Sequence, residues 1–112
     1  MDRRQTQRFK TRLETRHHEL RVSIEHQLRN ARGVEPEPDT LDQATRQSEK
    51  EVLLQTSTNE KQLLRAVELA LGRIQDGTFG HCLSCAKEID EKRLQAVPWT
   101  RYCIHCQEDF ER

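Results

Sequence analysis

The chain has 112 residues, 33% of them hydrophobic and 34% charged, with 19 basic side chains balanced by 19 acidic ones. Its five aromatic residues are Phe9, Phe79, Trp99, Tyr102 and Phe110, too few to fill a compact core of this length. Elongated helices or a covalent or metal staple must therefore supply the order. No apolar run exceeds three residues, which excludes a membrane-spanning helix. The basic residues of the first twelve positions are not followed by the apolar stretch of a secretion signal. This reading places the chain in the cytoplasm, where thiols stay reduced.

Charge is balanced overall but unevenly spread. Residues 1–34 hold nine Lys/Arg against four Asp/Glu, residues 35–60 hold two against seven, and residues 61–112 hold eight against eight. A nucleic-acid-binding domain usually carries a net basic excess, and this chain lacks one. Direct, sequence-specific DNA binding is not expected.

Taken in order, residues 4–32 contain neither proline nor glycine, and Phe9, Leu13, Leu20, Ile24, Leu28 and Ala31 recur in steps of about four or seven. That spacing predicts one helix with a single apolar stripe. Gly33, Pro36 and Pro38 end it. A second helix is expected from Asp39 or Thr40, either of which can cap it, to about Gln75. Leu64, Val67, Leu71 and Ile74 recur along it with the spacing of a coiled-coil seam. Two long helices joined by a short turn lie antiparallel. Folding the chain about residue 37 sets Phe9 opposite Arg65, Leu13 opposite Lys61 and Leu20 opposite Leu54. His17 and His18 are read as exposed, and the arginines of the first helix as a solvated face.

The character changes at Asp76-Gly77-Thr78-Phe79-Gly80, a turn cluster with two glycines. Two C-x-x-C pairs follow, Cys82/Cys85 and Cys103/Cys106, and these are the chain's only cysteines. Each pair forms a tight knuckle that offers two thiolates, and two knuckles complete a tetrahedron around one Zn²⁺. A closed set of four thiolates leaves no open position for water, so the metal is expected to be structural. Two disulfides, a redox C-x-x-C or free thiols are the competing explanations, and His81 or His105 could replace a cysteine. Ile89 and Leu94 are expected contacts between the pairs. Phe79, Trp99 and Tyr102 are expected to shell the metal, and Phe110 to bring a short final helix back onto Val67 to Ile74.

The expected fold is therefore mainly α: a long antiparallel helical hairpin over residues 1–76, with its tip at about 34–44. A Cys₄ zinc-finger module and a short C-terminal helix occupy residues 77–112.

These pieces together resemble the DksA/TraR family of bacterial transcription regulators. The resemblance is carried by Asp76-Gly77-Thr78-Phe79-Gly80 before Cys82-x-x-Cys85, by Ile89, Arg93-Leu94, Ala96 and Pro98, and by Tyr102-Cys103-x-x-Cys106. Ahead of them, Asp39-x-x-Asp42-x-Ala44 is similar to the family's tip motif, and the whole spans residues 5–107. The resemblance implies a monomeric, non-enzymatic protein that binds RNA polymerase through the secondary channel and modulates initiation. It also implies zinc on Cys82, Cys85, Cys103 and Cys106, and a tip acting through Asp39, Asp42 and Ala44. Family members that respond to ppGpp carry basic residues where this chain has Ala66, Val97 and Gln107, so little ppGpp dependence is implied. Ala86 stands where a glycine often follows the second cysteine. Two other functions share some of these features. One is a transcript-cleavage accessory factor of the Gre type, which also uses paired acids on a hairpin. The other is a zinc-finger adaptor or nucleic-acid binder with a coincidental tip.

Overall fold

The computed structural model describes residues 1–32 and 40–112, with side chains at 1–30, 56 and 58–112. Four helices follow in chain order: α1 (Arg3–Arg32), α2 (Thr40–Asp76), α3 (Glu91–Ala96) and α4 (Ile104–Glu111). Among the described residues there is no strand, only an isolated antiparallel bridge between His81 and Glu88. The expected tip falls outside this description: Asp39 is not among the described residues, nor are the side chains of Asp42 and Ala44.

α1 starts where its first turn is capped from both sides. Asp2 Oδ1 accepts the Gln5 backbone N–H at 2.8 Å, and Gln5 Oε1 accepts the Asp2 N–H at 3.2 Å. This reciprocal arrangement satisfies two amides that a helix start otherwise leaves bare. The far end of α2 is closed by Gly77, whose φ of 83° lets the chain turn back. The Thr78 N–H then reaches the Arg73 carbonyl at 3.0 Å, as in a Schellman motif.

The chain forms two compact units, one of Met1–His17 with Arg65–Arg112, the other of His18–Leu64. In the first, Phe9, Leu13, Val67, Ala70, Phe79, Ile89 and Leu94 are buried, and Leu13 and Val67 are wholly inaccessible. The apolar stripes read from the sequence thus supply the core, but so does a charged residue, Arg73, at 7% exposure. Phe9 meets Phe79 with ring centroids 5.5 Å apart. Arg12 donates to the Gln95 carbonyl of α3 at 2.8 Å, so one of the arginines read as solvated ties α1 to the finger. His17 is half-buried and meets Glu68 at 3.1 Å, not exposed as its polar neighbours suggest.

In the second unit Leu20 and Ile24 are buried. Between the helices the Ser23 hydroxyl donates to Glu60 Oε1 at 3.1 Å, and Gln27 Nε2 donates to the same oxygen at 3.2 Å. Folding about residue 37 places Glu51 opposite Ser23, so the helices are displaced from the expected register by nine residues of α2. The midpoint argument assumes that both helices meet the turn flush. Apolar residues three and four apart offer matching stripes at several alignments, and polar partners decide among them.

Candidate metal centre

The first knuckle is built by the chain reversing over residues 80–89. Gly80, at φ 88°, sits so close to Met1 and Leu94 that an added Cβ would lie 3.1 Å from Met1 Cε. Its carbonyl accepts the Ile89 N–H at 2.8 Å, and the Cys82 N–H donates to the Lys87 carbonyl at 2.8 Å. The second knuckle starts at the N-cap of α4, which is Cys103, and places Cys106 within that helix. The two knuckles are joined where the Leu83 N–H donates to the Arg101 carbonyl at 2.9 Å.

The result is that Cys82, Cys85, Cys103 and Cys106 bring their sulfurs within 4.8 Å of one another. All four are free thiols, so the paired-disulfide alternative does not hold. Cys85 Sγ and Cys103 Sγ are 3.7 Å apart. Zn–S bonds of about 2.3 Å arranged tetrahedrally give sulfurs about 3.8 Å apart, the spacing of the Cys85–Cys103 pair, so one zinc ion can draw on all four thiols. Cys82 is buried, Cys103 and Cys106 are half-buried, and Cys85 is exposed. Neither His81 nor His105 belongs to the cluster, the one group of its kind among the described residues.

The thiols are electrostatically unequal. Burial pushes the Cys82 thiol up, yet the amide N–H groups of Cys103, Cys85 and Ser84, with the Cys85 thiol, bring it down to about 6. The hydrogen bond with Cys103, then burial, then Cys82 and Cys85 push Cys106 up to about 12. Four thiols this close cannot all ionise unaided, so the first proton leaves easily and the last is held. A divalent cation removes that conflict, and as a d¹⁰ ion with no open coordination position zinc adds geometry rather than redox chemistry.

Other side chains serve the knuckles. Arg73 donates through Nη2 to the carbonyls of Thr78 (2.8 Å) and His81, and through Nε to Thr78 Oγ1. Asp76 accepts the Thr78 hydroxyl and N–H at 2.5 and 3.0 Å, bonds that, with Arg73 nearby, hold its carboxyl below the usual 3.8. Arg93, on α3, donates to the Tyr102 carbonyl at 3.1 Å. Neither arginine's role could be read from the sequence, where both look like solvated charge.

One expected aromatic contact is corrected, at Phe110, and another aromatic, Phe79, has a partner the sequence did not suggest. Phe79 packs on Phe9, in the core where α1 meets the finger, because the turn at Gly77 delivers it back towards α1. Phe110 is 57% exposed and meets the Tyr102 ring at 4.8 Å; it does not dock on Val67 to Ile74, since α4 buries none of its residues. Ile89 and Leu94 are buried as expected, at 5% and 1% exposure.

The substitution after Cys85 has a visible consequence. Ala86 has φ 63°, the left-handed conformation that crowds a Cβ and costs about 1–2 kcal/mol in a non-glycine residue. Ala86→Gly is therefore expected to raise stability by about 1 kcal/mol, part of the gain being offset by the greater freedom of glycine in the unfolded chain. Urea unfolding of the two proteins measures it; an Ala86→Gly protein less stable than the parent would contradict the strain.

Residues 77–112 match the model of the prokaryotic dksA/traR C4-type zinc finger. An uncharacterized protein of Aquifex aeolicus is 48% identical over 62 residues, 55% of this chain and 43% of that protein's length. The RNA polymerase-binding transcription factor DksA of Buchnera aphidicola is 33% identical over 108 residues, covering 96% of this chain and 72% of the relative. Among solved structures, transcription factor DksA2 of Pseudomonas aeruginosa superposes with a TM-score of 0.88 at 31% identity, over 99% of this chain and 86% of that one. The mainly α fold, the four gathered thiols with their one structural zinc, and likeness along nearly the whole chain agree: this chain belongs to the DksA/TraR family.

Proposed function

We propose that the chain binds RNA polymerase and regulates transcription initiation, acting in the cytoplasm as a monomer rather than as an enzyme. The observation that carries this is its likeness over 96% of its length to a relative named as an RNA polymerase-binding transcription factor. In this reading residues 77–112 form the finger, with Cys82, Cys85, Cys103 and Cys106 as the zinc ligands. Residues 1–76 form the hairpin that enters the secondary channel. Asp39, Asp42 and Ala44 are its effector residues. The surplus of acids over residues 35–60 suits a site rich in cations and Mg²⁺, for which carboxylates are natural ligands. The balanced net charge suits a protein partner better than a DNA duplex.

The test is transcription in vitro from a ribosomal RNA promoter, with and without ppGpp. Asp42→Asn is expected to keep polymerase binding and to lose the effect on promoter-complex lifetime. Loss of binding instead would make the tip an anchor and not an effector. Ala66, Val97 and Gln107 offer no cation to a phosphate, so ppGpp is expected to add little. A strong ppGpp-dependent enhancement would overturn that part. Efficient shortening of RNA in backtracked complexes would favour the transcript-cleavage class.

A further inference from the structure

The two knuckles are approached in the same way. The residue ahead of the first cysteine of each pair turns its carbonyl to an arginine: His81 to Arg73, and Tyr102 to Arg93. The two arginines come from different helices, α2 and α3. Arg73 is buried and Arg93 half-buried, environments in which a guanidinium is expensive unless something compensates it. Both guanidiniums donate to carbonyl oxygens, Arg73 also to the Thr78 hydroxyl, and Arg73 acts electrostatically on the Asp76 carboxylate.

We propose that Arg73 and Arg93 are positioning residues of the zinc centre, one for each knuckle. Each fixes the backbone immediately before its cysteine pair. Arg73 acts through three bonds to the turn over residues 78–81, which sets where the chain leaving α2 delivers Cys82. Arg93 acts through the Tyr102 carbonyl, which also accepts the Thr100 hydroxyl at 3.3 Å, and so sets where Cys103 enters α4.

This inference rests on zinc being held by the four cysteines, which the metal content of the unaltered protein tests by itself: one zinc per chain supports it. The proposal is then tested on full-length Arg73→Met, Arg73→Lys, Arg93→Met and Arg93→Lys. Zinc affinity is measured by competition with a chromophoric chelator, and the site's geometry by the absorption of Co²⁺ substituted for zinc. The Met variants are expected to bind zinc about 10- to 100-fold more weakly, the usual effect of removing a group that orients metal ligands. The Lys variants are expected to recover part of that loss, because an ammonium can still donate to a carbonyl but lacks the guanidinium's fork. Wild-type zinc affinity in both Met variants would overturn the proposal, as would Lys variants no tighter than Met, which would trace the loss to packing and not to the bond with the carbonyl. Should Arg73→Met fail to fold, the Arg93 pair decides alone, since Arg93 makes a single bond and is less buried.

Discussion

Stripping zinc from the protein is expected to unfold residues 77–112 while most of the helical signal of α1 and α2 survives. The finger is poor in apolar residues, and several that it has, including Leu83, Ile104 and Phe110, are at least half exposed. Its order depends on four sulfurs held together, and structural zinc in finger peptides contributes on the order of 10 kcal/mol. Trp99 is the only tryptophan, half-buried and four residues before Cys103, so its fluorescence reports on this module. On chelation its emission is expected to shift to the red and the finger to become open to protease. Cys103→Ala should do the same without a chelator. A metal-free protein that keeps the native Trp99 emission and protease resistance would show that packing, not zinc, holds the finger.

The second large effect is expected at Leu13. Its side chain is wholly inaccessible, one of few such positions among the described residues. Leu13→Ala removes apolar area and leaves a cavity, which costs about 2–5 kcal/mol. Leu28→Ala, at a residue of the same stripe that is 42% exposed, should cost less than about 1 kcal/mol. Urea unfolding followed by circular dichroism separates the two; equal losses would mean that the stripe is not divided between core and surface as described. In a natural domain whose total stability is typically about 5–15 kcal/mol, the Leu13 change alone removes a large part of the margin.

The sequence made different parts of this molecule legible for different reasons. Helices α1 and α2 announce themselves because each runs for many turns, so that the apolar period repeats and the boundary glycines and prolines stand out. The metal centre is legible because four cysteines in two tight pairs have few other uses. Six-residue α3 carries no period to read. The pairing of Phe9 with Phe79 depends on a turn at Gly77 whose direction no local pattern encodes. Arg73 was hidden for another reason: a long basic side chain is usually solvated, and its partners here are backbone carbonyls, which every sequence has everywhere. Helix register fell between these cases, since the stripes were right but their alignment was not.

That alignment rests on the small polar group formed by Ser23, Gln27 and Glu60. Two of its oxygens, Gln27 Oε1 and Glu60 Oε2, are buried with no hydrogen-bond partner among the described residues, where an unmet polar atom costs about 1–3 kcal/mol that an apolar seam would not bear. What the cost secures is indexing. Sliding one helix along the other by a turn, about 5.4 Å, would carry Glu60 past both its donors and strand a carboxylate between helices. An all-leucine seam has no such penalty and can creep. The notch thus holds the pairing of α1 and α2 beside Glu60 to better than one helical turn.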